Sequence, residues 1–132
     1  MHEIRLRTER RTQVVEITRQ VREAVAGESG SAVLVYVPHT TAGVTINEHA
    51  DPAVARDFES AIERMVDDGW PWEHVEPGED NAPAHVRAAL MGPSVVVPLR
   101  DDGSLALGTW QGIFFCEFDG PRDRTVYVQV LA

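Results

Sequence analysis

SVVVPLRDDGSLALGTWQGIFFCEFDGPRDRTVYVQVL, residues 94–131, decides the fold. Residues 95–99, 105–107, 111–118 and 125–131 are runs of aliphatic, β-branched and aromatic side chains. DDG and DGPRD between them supply the Gly, Pro and Asp that turns require. Working back from them, Pro83 opens a short helix through His85 to Met91, stopped by Gly92 and Pro93. Before it lies GWPWEHVEPGEDNA, residues 69–82, the longest irregular segment of the chain, and long ordered loops are commonly functional. Asp51 followed by Pro52 is a cap and N1 proline. The helix they open carries Val54, Phe58, Ile62 and Met65 or Val66 on one apolar face and ends before Gly69. AVLVYV, residues 32–37, reads as a fully buried strand. HTTAGVTIN then turns the chain into a short strand over 44–46. Residues 12–17 alternate apolar and polar, and Thr18 caps a short helix that Gly27 stops. With no internal repeat and no linker, residues 1–132 form a single domain. Six or seven strands and two or three helices predict an α+β fold, a bent antiparallel β-sandwich with helices on one side.

The 132 residues carry 12 basic and 21 acidic side chains, net −9. That balance repels a polyanion and predicts no nucleic-acid and no membrane partner. All the basic residues are Arg; with no Lys in the sequence, Schiff-base chemistry and a P-loop are excluded. Residues 48–80 hold eleven acids against two Arg, the composition either of a solvated face or, with His49 and His74 among them, of a metal environment. The longest apolar run has six residues, far short of the ~20 that span a bilayer. The Arg-rich start lacks a signal peptide's apolar stretch, and a cytoplasmic location is expected. The single Cys116 forms no internal disulfide and is expected as a small core residue.

Chemistry has few places to live. His39 ends a buried strand and precedes Thr40 and Thr41, His74 sits in the acidic loop, and His85 lies in the first turn of a helix. Three imidazoles so placed could hold a divalent ion such as zinc with one position open. The alternative is three separate structural or exposed histidines. Glu48, Asp51, Glu79 and Asp80 bracket them as candidate bases, Mg²⁺ ligands or imidazole partners. The cap explains Asp51, whereas Glu48 and Asp80 have no such structural account. Asn47 and Asn81 offer amides but also suit turns. In GTWQG, Trp110 is expected to pack and Gln111 stands as the candidate. Arg122 and Arg124 cluster at a hairpin turn, where Arg could fork a phosphate.

VPHTTAGVTINEHADP, GEDNAPAHVRAALMGPSVVVPL and LGTWQGIFFCEFDGPR stand in the order seen in the YjbQ-like family, known as secondary thiamine-phosphate synthases. The resemblance runs from about Thr12 to Val130 and is most specific over residues 94–113. It implies a homotrimer of bent-sandwich subunits with sites near subunit boundaries. It also implies an activity joining an aminopyrimidine diphosphate to a thiazole phosphate with release of pyrophosphate. His39, Asn47, Glu48, Asp51, His74, Asp80, Asn81, His85, Trp110 and Gln111 match recurrent polar positions. On that basis Glu48, His85 and Asp80 are the catalytic candidates. Thr40, Thr41, Asn47, Asn81, Trp110, Gln111 and Arg122 are the binders of a small phosphorylated metabolite, and His39, His74 and His85 the ligands of a zinc or magnesium ion. Two departures stand out: His49 replaces an expected Asn or Gly, and Arg100 to Asp102 run one residue long before Gly103. The same residues leave open a metal-dependent hydrolase of a phosphorylated metabolite, or a noncatalytic trimer that binds a small ligand.

Overall fold

The computed structural model describes all 132 residues, Met1–Ala132. Its centre is the strand QGIFFCE, Gln111–Glu117, buried from Gly112 onward. A strand apolar on both faces needs a cover on each side, and the chain provides two different covers. Seven strands form: β1 (His2–Arg7), β2 (Gln13–Glu16), β3 (Ala32–Tyr36), β4 (Ala42–Glu48), β5 (Ser94–Pro98), β6 (Gln111–Glu117) and β7 (Asp123–Leu131). Three helices accompany them: α1 (Thr18–Val25), α2 (Pro52–Met65) and α3 (Ala82–Met91). The strands make two antiparallel sheets, ordered β1-β7-β3-β5 and β2-β6-β4.

Ile113 and Phe115 of β6 point between the sheets. There they join Ile4, Val33, Val35, Val44, Val97, Val126 and Val128, and one side of α1 through Val21 and Val25. Cys116 and Phe118 belong to the opposite face, against Ala84 and Ala88 of α3, Phe58 and Ile62 of α2, and Val14. Helices α2 and α3 thus cover the three-stranded sheet from outside. The α+β sandwich expected from sequence is the observed architecture, with β4 extending two residues beyond each end of the expected strand.

Four features depart from the sequence reading. The DGPRD turn that carries Arg122 makes no hairpin: it crosses from β6 in one sheet to β7 in the other, and each strand pairs with different partners. His2–Arg7 is an edge strand whose only apolar residues, Ile4 and Leu6, face inward opposite β7; the exposed charges of Glu3, Arg5 and Arg7 conceal its period and suit an edge. Residues 105–107 form no strand. Leu105 makes one bridge to Leu99, and Leu105 and Leu107 plug the core. Thr18 does not cap α1: Ile17 holds the cap position with no side-chain bond. The Thr18 hydroxyl instead accepts the Ile113 N–H at 2.8 Å and donates to Glu16 at 2.8 Å. Gly112 leaves room for this junction, since a Cβ there would lie 2.6 Å from Glu16 Oε2 and 3.1 Å from Thr18 Oγ1. Asp51, by contrast, caps α2 as its sequence says, accepting from Ala53 N at 2.9 Å.

One end of the sandwich is closed by charge. Glu117 at the end of β6 is fully buried and pairs with the nearly buried Arg124 of β7 through both guanidinium Nε, at 2.8 Å, and Nη2. Glu117 also accepts from Thr8 Oγ1 at 2.7 Å, Phe118 N at 3.1 Å and Asp119 N at 3.0 Å. Arg124 donates onward to Thr41 Oγ1 at 2.8 Å. Burial alone would push the Glu117 carboxyl up, but the bonds from Arg124, Thr8 and Asp119 N outweigh it and hold the carboxyl below its ordinary value. A depressed acid contributes stability that is complete above its unfolded value, ~4.3, and is lost as pH falls through the folded value. Glu117→Gln leaves Arg124 buried without its anion and should cost about 3–5 kcal/mol in urea unfolding at neutral pH. The same variant should flatten the parent's loss of stability below pH ~4.3; an unchanged acid limb would show that other carboxylates set it.

Candidate functional site

The segment between α2 and α3 is tied down by Arg side chains. Arg87, buried in α3, donates to the carbonyls of Glu63 at 3.1 Å and Val66 at 2.7 Å, at the C-terminus of α2 where carbonyls lack partners within the helix. Arg11 reaches Asp68 at 2.6 Å and draws its carboxyl below the ordinary range. Trp72 Nε1 donates to Asp67 O at 3.1 Å. Held this way, the segment walls a cleft of about 690 Å³ beside the end of β6, lined by Trp70, Trp72, His74, Asp80, Asn81 and Asp119 among others.

Polar groups in the cleft form a chain. Arg122 donates through Nε to Asp119 O and through Nη2 to Asp119 Oδ2, both at 2.9 Å. Asn81 Nδ2 donates to the same Oδ2 at 2.8 Å, and Asn81 Oδ1 meets His74 Nε2 at 2.9 Å. The His74 ring stands edge-on to His85, centroids 5.2 Å apart, and both border a second groove with Trp72 and Val86. Asp80 is exposed at the cleft, and its carboxylate has no hydrogen-bond partner.

The structure therefore joins His74, Asp80, Asn81, His85 and Arg122, and separates the rest. His39 stands apart, where its Nε2 accepts the Thr125 N–H at 3.0 Å. That lone pair is engaged, and within one chain no three His, Cys, Asp or Glu lie close enough to hold a metal ion. A three-histidine zinc centre made of His39, His74 and His85 does not fit one chain. Thr41 is buried and its hydroxyl serves Arg124, so it is structural and not a substrate binder; Thr40 next to it is exposed. Arg122 is committed to Asp119, not free to fork a phosphate.

Asn47, Glu48, Trp110 and Gln111 lie at the other end of the β4–β6 pair. Glu48 is opposite Gln111 in register, while Ala42 is opposite Glu117, and six residue steps at ~3.3 Å separate the two ends by about 20 Å. There Asn47 Oδ1 accepts from Glu48 N at 2.8 Å and Gln111 Oε1 from Gly108 N at 2.8 Å. The Glu48 carboxylate has no partner and borders a small crevice with Val54 and Phe58. Trp110, expected to pack, is 63% exposed. His49, set aside as a functional residue, bonds Glu16 at 2.9 Å. Burial pushes the Cys116 thiol up to about 12, so it is an inert core residue.

The sequence reading missed Asp119, read only as part of a turn, and Trp70 and Trp72, whose loop was singled out but whose indoles were not. It also missed Glu117, although a lone acid inside IFFCEF is itself a signal.

The family model described as UPF0047 protein YjbQ-like matches residues 2–132. The chain belongs to the YjbQ/UPF0047 family. The UPF0047 protein YugU of Bacillus subtilis is 46% identical over 133 residues, covering 97% of this chain and 96% of that one. A family member from Methanocaldococcus jannaschii is 43% identical, covering 96% and 90%. The crystal structure of a YjbQ/UPF0047 protein from Clostridium acetobutylicum superposes with a TM-score of 0.91 at 44% identity, covering 99% of this chain and all of that one. A hypothetical protein from Aeropyrum pernix matches equally, TM-score 0.91 at 41% identity, covering 99% and 97%. No helix of this family member is long and apolar enough to cross a membrane.

At His39, burial and the nearby Arg124 charge hold the imidazole below its ordinary value. A histidine kept neutral in the fold contributes stability that is complete above the unfolded value, ~6.5, and declines as pH falls toward the folded one. His39→Gln keeps an acceptor for the Thr125 N–H while removing the titration. Chemical denaturation as a function of pH should show the parent losing stability below pH ~6.5 more steeply than this variant; parallel curves would mean that His39 gains its proton equally in both states.

Proposed function

We propose that this chain is a homotrimeric transferase. It joins an aminopyrimidine diphosphate to a thiazole phosphate, in sites completed where one end of a subunit meets the opposite end of its neighbour. The observation that carries the reading is the split just described: two clusters of polar candidates stand at opposite ends of the β4–β6 pair, ends about 20 Å apart, each with an unpartnered carboxylate, Asp80 in one and Glu48 in the other. Residues this far apart in one subunit can share a site only where a neighbouring subunit brings its opposite end to them, as a cyclic interface does. The exposed Trp110 beside Glu48 suits such a boundary, since Trp is enriched at interface cores.

In the reaction, the thiazole ring nitrogen attacks the methylene carbon of the pyrimidine, and the bond from that carbon to the diphosphate oxygen breaks with its electron pair leaving on pyrophosphate. No covalent enzyme intermediate is needed; the protein holds the two rings in line, excludes water and meets charge as it moves. The Trp70 and Trp72 indoles give the cleft planar walls for a heteroaromatic ring. Asp80 and the His74–Asn81 pair offer hydrogen bonds to an amino-substituted one, and the Glu48 carboxylate meets the positive charge that develops on the thiazole nitrogen as it becomes quaternary. The cleft itself is acidic, with Arg11 and Arg122 already paired, so the diphosphate is best met as its Mg²⁺ complex, which needs only one or two carboxylates. The hydrolase reading has less support, since the Nε2 lone pair of His39, one of its three imidazoles, is taken by the Thr125 N–H.

Incubating the purified protein with both substrates and Mg²⁺ should yield thiamine phosphate and pyrophosphate. Absence of product from a folded trimer sinks the assignment. Glu48→Gln, which removes the charge and keeps the shape, should lower turnover about 100-fold or more while the trimer persists, and Asp51→Asn, which still caps α2, should keep near-parent activity. Dissociating and remixing equal amounts of Glu48→Gln and His74→Ala should restore about a quarter of parent activity, because each boundary has a one-in-two chance of an intact end from either side. No recovery on mixing would place both residues in one chain's site.

A further inference from the structure

We propose that Asp119 is a positioning residue that, through Asn81, fixes His74 as its Nε2–H tautomer and leaves Nδ1 as the atom that works in the cleft. The inference rests on the reading that places His74 in the reaction site, and it follows from which groups can donate. Arg122 is donor-only, and a carboxylate is acceptor-only. Asp119 Oδ2 accepts from Arg122 Nη2 at 2.9 Å, and it can receive only the NH₂ side of the Asn81 amide, at 2.8 Å. The amide's orientation is thereby settled, which a lone amide never is. Its oxygen is turned to His74 Nε2 at 2.9 Å, and since that oxygen only accepts, the proton must be on Nε2. Nδ1 then carries the lone pair, and it has no partner in the protein.

A second observation shows that Asn81 is committed to this chain. It occupies the N-cap position of α3, where an Asn side chain ordinarily accepts from the first turn, yet it makes no cap bond. The helix forgoes a local bond that the residue type is suited to make, and the amide bridges Asp119 and His74 instead. Asp119 is itself fixed at both ends, by Arg122 Nε on its carbonyl at 2.9 Å and by its own N–H on Glu117 at 3.0 Å. The imidazole's tautomer is therefore referred back to the buried ion pair at the end of the sandwich.

Long-range ¹H–¹⁵N correlation of the histidine rings at mildly alkaline pH reads the tautomer directly and needs no turnover, so its failure is distinct from failure of the thiamine-phosphate assay. The parent should show His74 protonated on Nε2 and bare on Nδ1. Asp119→Lys reverses the polarity: the ammonium takes the Asn81 oxygen, the amide NH₂ turns to His74, and an Nδ1–H tautomer should appear. Asp119→Asn still offers an acceptor to Asn81 and should restore Nε2–H. If the Lys variant fails to fold, Asp119→Ala should instead release the amide and give a mixture of the two forms. An Nδ1–H parent, or Nε2–H persisting unchanged in the Lys or Ala variant, overturns the proposal. Where the parent turns over, Asp119→Ala should lower kcat about 10- to 100-fold at unchanged KM, with recovery in Asp119→Asn; full kcat in the Ala variant removes Nδ1 from the chemistry.

Discussion

The pair between Glu117 and Arg124 is the contact on which the two sheets' closed end depends. It joins the last residue of β6 to β7 across the sandwich. Its oxygens also gather the hydroxyl of Thr8 after β1 and the N–H groups of Phe118 and Asp119, and Arg124 reaches Thr41 before β4. Segments from both sheets are thus tied at one point. A buried ion pair of this kind is often replaceable by apolar residues of similar size. Here the exchange would orphan the Asp119 N–H and release the Thr8 and Thr41 hydroxyls, so the charge is retained by the donors around it as much as by its partner. Phe118 and Asp119, which line the cleft, follow Glu117 directly, and the cleft's geometry begins from that anchor.

How much of this was legible depended on whether the deciding contacts were local. Strand β6 announced itself through an unbroken apolar run, and β7 through alternation from Arg124 to Val130. α2 was marked by an aspartate cap and N1 proline that the structure uses as such. β1 was lost because two inward apolar residues among charges make too short a pattern to separate from a polar arm. Residues 105–107 show the opposite error: Leu-Ala-Leu has a strand's period, but the two leucines fill a hole between sheets and pair with almost nothing. Thr18 has the right residue type for a cap and sits one position too late, where its hydroxyl is claimed by a strand 95 residues away.

The site divides along the same line. The loop over residues 69–82 could be singled out by composition alone, and His74, Asp80 and Asn81 came with it. Asp119 could not, because an aspartate in DGPRD is sufficiently explained as turn chemistry, and its partner Asn81 lies 38 residues upstream. The histidines were grouped by residue type, and type says nothing about which lone pairs are free: His39 looks like a ligand in sequence and is an acceptor for backbone in the fold. Glu48 and Asp80 kept their candidacy for a sounder reason, as no structural bond consumes either carboxylate.

The unequal covering of the two sheets has a consequence for how the molecule breathes. β6 has strand neighbours on both edges and packing on both faces, so its amides exchange with solvent only when the whole domain opens, whereas β1 and β5 have one free edge each and open at lower cost. Opening at the β1 margin nevertheless reaches the cleft, because Thr8, just past that strand, is bonded to Glu117 at the end of β6.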